Sequence, residues 1–151
     1  MVSLPATRLL LPVLAAAALA CTGSRGDAPA PLRAQIAQML THAAQRWTAG
    51  DLDAFVDDYL DSSRTTFVGG RGVLHGRAAI REAYAPRFAP GGVHDSLSFE
   101  GIEVDSLAPD VAHVLAFYVL SRGDSTVARG PTSLVMVRRD GRWRIVHDHS
   151  S

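Results

Sequence analysis

The spacing of apolar residues changes once along this chain, across Pro90-Gly91-Gly92, and that change limits the fold more than any other feature. Ahead of it, apolar side chains recur every three or four residues, as one stripe of a helix does. Behind it they alternate, as one face of a strand does. In "PLRAQIAQMLTHAAQRWTAG", Leu32, Ile36, Met39, Leu40, Ala43, Ala44 and Trp47 share a helical face, with Pro31 suited to the first turn and Gly50 to the stop. "DLDAFVDDYLDSS" restarts the pattern through Leu52, Phe55, Val56, Tyr59 and Leu60, predicting a second helix capped by Asp51. "RTTFVGGRGVLHG" predicts a short hairpin, and "RAAIREAYAPRF" a third helix with Ile80, Tyr84 and Phe88 inward.

Beyond Gly92, Leu97 and Phe99 share one parity while Ile102 and Val104 share the other. The switch falls at Gly101 and predicts a β-bulge there. "VAHVLAFYVLSR" is apolar on both parities, so both of its faces are expected to be covered. In "PTSLVMVRRDGRWRIVHDHSS", Asp140-Gly141 is a two-residue hairpin turn, because both turn positions need a positive φ that these residues tolerate. Strands that arrive in sequence on short turns predict a curved antiparallel sheet packed against the N-terminal helices, an α+β fold.

In a chain of 151 residues, 47% hydrophobic and 20% charged, there is room for one core. The formal net charge is zero and all fifteen basic residues are dispersed arginines, which argues against nucleic acid as a partner. Residues 1–20 read as an export signal: Arg8 precedes an apolar run from Leu9 to Ala20 that is too short to span a bilayer. Ala18-Leu19-Ala20 suits ordinary signal peptidase and also resembles a bacterial lipobox with its large and small residues interchanged at Ala18 and Leu19. Cys21 is the sole cysteine and cannot form an internal disulfide. It is read as a lipid attachment point, which expects a membrane-anchored lipoprotein of the bacterial cell envelope; a soluble secreted form is the alternative. Residues 21–30 read as a tether and 31–151 as the folded domain.

Together, "RWTAGDLDAFVDDYLDSS", "GGRGVLHGRAAIREAY" and "RRDGRWRIVHDHSS" resemble the NTF2-like superfamily, in its SnoaL-like or DUF4440 branch, alongside ketosteroid isomerases and polyketide cyclases. The resemblance covers residues 31 to 151. It implies a cone in which a bent sheet wraps a long helix and leaves a pocket, and it implies a homodimer. It does not imply isomerase activity: aligned on "AGDLD", the isomerase base falls near Phe67 and the oxyanion-stabilising tyrosine near Ala43, neither of which can transfer a proton. The cone serves binding, catalytic and structural proteins alike, so the site has to decide the function.

A regular hairpin about Asp140-Gly141 would pair Arg138 with Trp143, Met136 with Ile145, Leu134 with His147 and Thr132 with His149. That face is assigned to the pocket, leaving Asp148 on the other side. His147 and His149 are then the candidate acid/base residues, with Thr132 or Tyr118 as orienting partners. A zinc reading needs a third ligand that the pair does not supply, and polar satisfaction at a sheet edge is the plainer alternative. His42 and His94 are read as solvated. Trp47, Tyr59, Phe67, Tyr84, Phe88, Tyr118, Arg129 and Thr132 are the candidate pocket residues, Arg129 lying ahead of the fifth strand as a contact for an anion. "GGRGVLHG" lacks the helix and lysine of a phosphate loop. The expected protein takes up a small hydrophobic or amphipathic molecule without metal or cofactor. The alternative is a cofactor-free isomerase, cyclase or dehydratase using a pocket histidine.

Overall fold

A computed structural model describes residues 30–92 and 94–151; the expected export signal, most of the expected tether and Cys21 lie outside them. The first helix, α1 (Ala30–Thr48), buries Ile36, Leu40, Ala43 and Trp47 along the predicted stripe. The second, α2 (Leu52–Val56), is capped by Asp51, whose carboxylate accepts from the Ala54 N–H at 3.0 Å. It stops four residues short of Leu60. The backbone there is captured from outside: the Ile145 N–H donates to the Asp58 carbonyl and the Leu60 N–H to the Ile145 carbonyl, so Tyr59 bridges to a strand instead of continuing the helix.

The strands β1 (Thr66–Gly69) and β2 (Gly72–His75) form the expected hairpin, and α3 (Arg77–Phe88) follows with Ile80 fully buried. The four long strands are β3 (Ser96–Ala108), β4 (Val111–Arg122), β5 (Ser125–Arg139) and β6 (Arg142–Ser150). The sheet order is β2-β1-β6-β5-β4-β3. All neighbours are antiparallel except β1 and β6, which run parallel, with Thr66 opposite His147. The hairpin therefore covers the side of β6 that the sequence left as an edge.

Two turns behave as their residues dictate. Asp140 and Gly141 have φ of 51° and 74°, the paired positive values of a tight hairpin turn. Gly101, at φ 59°, sits where the β3–β4 register slips between Glu100 and Glu103. That slip is the predicted bulge, and it lets Leu97 and Phe99 face inward on one side of it and Val104 on the other.

The concave face of the sheet closes on α1. Trp47 is the hub, meeting Phe55, Tyr84 and Phe88 edge-on at centroid distances of 5.1, 5.5 and 5.0 Å, while its indole N–H donates to the Asp95 carbonyl at 2.8 Å. The convex face differs from expectation. Leu115 and Phe117 on β4 remain 43% and 37% exposed, and among the described residues no helix packs over them.

Candidate functional site

Between α1 and the concave face lies an open cavity of about 230 Å³. Leu40, Ala43 and Trp47 of α1 form one wall and Phe55, Asp58 and Tyr59 a second. Phe67 and Tyr84 close the hairpin side, and Leu97, Phe99, Tyr118, Leu120, Ala128, Leu134 and Ile145 form the sheet side. Polar residues enter the lining at few places: Asp148 with Thr132 and Ser150, Asp58, the three tyrosines, and Arg87. A mostly apolar hollow with a few convergent polar groups is the ordinary form of a small-molecule site.

Asp148 is the polar centre of this site, and it is buried, at 6% exposure. The Tyr59 hydroxyl donates to Asp148 Oδ2 at 2.6 Å, and the Ser150 hydroxyl to Oδ1 at 2.7 Å. Thr132 approaches Oδ1 at 3.4 Å and lies 2.8 Å from the Ser150 hydroxyl. Burial pushes the Asp148 carboxyl above the ordinary carboxylate range, against the pull of Tyr59, Ser150 and Thr132. Burial, with Asp148 adding its negative charge, also raises the Tyr59 and Tyr84 phenols, so both stay protonated donors at neutral pH. Asp58 is different: burial raises it against an Arg46 guanidinium that contacts its two oxygens at 2.8 and 2.9 Å. A raised carboxyl beside a hydroxyl, facing an apolar hollow, can give or take a proton from a bound molecule.

This arrangement reverses the expected roles of the C-terminal cluster. Pairing is regular from Arg139 opposite Arg142 to Met136 opposite Ile145, then slips by one: Val135 faces His147, Leu134 faces Asp148 and Thr132 faces Ser150. Val146 is the extra residue of a bulge in β6. Because side chains alternate with period two, the slip moves everything after it to the other face. Asp148 turns into the cavity, while His147 and His149 turn to the convex face and do not line it. His147 Nδ1 instead lies 2.7 Å from the Thr66 hydroxyl, and His149 is exposed. Neither Thr132 nor Tyr118 orients a histidine.

Of the eight pocket candidates, Trp47, Tyr59, Phe67, Tyr84, Tyr118 and Thr132 line the cavity. Phe88 does not; it buttresses Trp47 and the His94 ring from behind. Arg129 lies within β5, not ahead of it, and sits on the convex face, 4.0 Å over the Phe117 ring and 3.3 Å from Glu100. His94 is exposed, as expected, and its ring also stacks on Trp47 and contacts the Thr48 carbonyl at 3.2 Å. Sequence reasoning missed Asp148, Ser150, Asp58 and Arg87. The signal for the first two was the adjacent apolar pair Ile145-Val146, which breaks alternation just as the stretch around Gly101 does. Among the described residues no group of three His, Cys, Asp or Glu side chains is placed to hold a metal ion.

A curved sheet folded over a helix, with an open apolar cavity and a buried carboxyl, defines a small cone-shaped pocket domain. Residues 36–151 match the family model described as a SnoaL-like domain, and the chain belongs to that family. Among solved structures, it is similar to an NTF-2 like protein of unknown function from Shewanella oneidensis, with 28% identity over 78% of this chain and 97% of that one, TM-score 0.71. An NTF2-like protein of unknown function from Pseudomonas putida is 19% identical over 83% of this chain and 89% of that one, TM-score 0.67. A protein of unknown function with a cystatin-like fold from Nostoc punctiforme is 12% identical over 83% and 93%, TM-score 0.68. The last two show likeness of fold alone. No curated protein matches the chain.

Proposed function

We propose that this chain is an exported, lipid-anchored protein whose cone takes up a small hydrophobic or amphipathic molecule. The observation that carries the reading is the cavity itself: about 230 Å³, apolar on most of its wall and open to solvent. An apolar cavity of about 150 Å³ holds a benzene ring. The larger volume suits a fused bicycle or a ring with a short chain. Native mass spectrometry of the chain extracted from its own membrane tests this. A bound small molecule is expected, and it should be absent from Ala43→Phe, which fills the α1 wall. A bare wild-type protein that also gains no thermal stability from aromatic ligands would refute the reading.

Residues 1–20 act in this reading as the signal, 21–30 as the tether and Cys21 as the lipidated residue. Mass spectrometry of the mature N-terminus decides the last point, since an unmodified Cys21 leaves only the soluble form. The convex face serves as a homodimer contact, because Leu115 and Phe117 are exposed side by side with no helix of the described residues over them. Sedimentation should give a dimer at micromolar concentration and a monomer for Leu115→Glu; a wild-type monomer sinks the contact.

One observation favours a second reading, in which the cone also transfers a proton. Asp148 occupies the cavity with its carboxyl raised by burial, a position suited to general acid/base work on a bound molecule. Deuterium exchange at an acidic C–H of the co-purified molecule should occur with wild type and not with Asp148→Asn. Equal exchange rates would remove the catalytic reading and leave binding intact.

A further inference from the structure

The polar atoms of the cavity are unevenly provided for. Among the described residues every buried side-chain nitrogen and oxygen has a hydrogen-bond partner, so the inner end of the cone asks for nothing polar from a ligand. At the rim the position is reversed. Arg87, near the end of α3, is exposed, and its side chain makes no hydrogen bond or ion pair among the described residues. It lines the main cavity and also an adjoining recess of similar size between α3 and the β1–β2 hairpin.

Arg71, at the tip of that hairpin, lines the same recess and uses one N–H on the Ala83 carbonyl at 3.0 Å. Elsewhere seven arginines, at 46, 77, 81, 122, 129, 142 and 144, each pair with a carboxylate. Among the described residues Arg71 and Arg87 have no such partner, and no acidic residue lines the recess they share. Two guanidiniums without counter-charge, beside an apolar hollow, present planar N–H donors where the polar end of a ligand would emerge.

We propose that the molecule held by the cone is an amphipathic monoanion, an aromatic or aliphatic carboxylic acid, seated tail inward with its carboxylate at Arg87 and Arg71. This rests on the binding function proposed above and fixes the chemical class of the ligand. The acids inside the cavity do not oppose it. Asp58 is matched by Arg46, and Asp148 lies among hydroxyls at the inner wall while the anion stays at the rim.

The test is calorimetric titration of the full-length chain in detergent with two probes of one shape, naphthoate and naphthalenemethanol. Naphthoate should bind about tenfold more tightly at low salt, the order expected for a charge-assisted hydrogen bond at a partly wet site. Arg87→Ala should bring naphthoate down to the affinity of naphthalenemethanol, and Arg87→Lys should restore part of the difference. Equal affinities for the two probes, indifferent to Arg87→Ala, would overturn the anion assignment while the cavity stands as a binding site. If neither probe binds, the anion assignment and the binding function fall together.

Discussion

Replacing Tyr59 with phenylalanine keeps the ring that packs at 2% exposure and removes only the hydroxyl that donates to Asp148 at 2.6 Å. Asp148 Oδ2 then has no partner, and the cost depends on the charge of the carboxyl. Where Asp148 is protonated in both folded and unfolded chains, the loss is a neutral hydrogen bond of about 1 kcal/mol. Where it is ionised in the wild-type fold, the loss is a charge-assisted bond of about 1.5 to 3 kcal/mol. The hydroxyl lowers the Asp148 pKa against the larger effect of burial, so the variant must carry a still higher value. Between the two folded values the native variant binds more protons than native wild type, and its relative stability falls as pH rises through that window. With a urea slope of about 2 kcal/mol per molar, the midpoint should drop by about 0.5 M under acid conditions and about 1 M above the window. Urea melts followed by tryptophan fluorescence, run as a pH series upward from the ordinary carboxylate range, follow that change. A penalty that stays constant across the series would refute the coupling of Tyr59 to Asp148.

Three further outcomes follow from the same geometry. Asp148→Asn removes a group whose folded pKa is raised, and such a group costs stability as pH climbs from the ordinary carboxylate value through the folded one; the variant should gain on wild type as pH rises, and a constant difference between the two urea series would contradict this. Trp47→Ala empties the hub of three edge-on aromatic contacts and should destabilise by about 3 to 5 kcal/mol in thermal melts; a loss under about 1.5 kcal/mol would mean the cavity wall does not depend on it. Arg46→Ala leaves the Asp58 carboxyl buried without its cation, at about 2 to 3 kcal/mol given that Arg46 is one-third exposed; the double variant Arg46→Ala, Asp58→Asn should recover most of that in the same melts, and no recovery would show that Arg46 acts through packing.

The fold was legible where one residue type decides the backbone. Asp140-Gly141 specified its turn, Gly101 its bulge, and the α1 stripe its buried face, because positive φ and helical burial leave few alternatives. The parallel β1–β6 pair and the early end of α2 were not legible. Both depend on β6 reaching across the chain to backbone atoms near residues 58 to 60 and 66 to 68, and backbone hydrogen bonds carry no side-chain signature.

The candidate site shows the same division at the scale of one residue. Aromatic pocket residues could be named from their spacing on α1, α3 and the inner strands, since a helix or strand face is a local property. Asp148 could not be assigned by alternation alone, because its side depends on whether Val146 is paired. A regular ladder from Ile145 sends His147 inward; one unpaired residue sends Asp148 inward instead. The burial pattern supports the second choice on physical grounds. Asp148 finds a phenol and two hydroxyls on the concave side, enough donors to hold a buried carboxyl, whereas the regular ladder would remove it from them and place His147 at the apolar wall. The bulge is thus the feature that converts a histidine-flanked aspartate from a surface residue into the polar centre of the pocket.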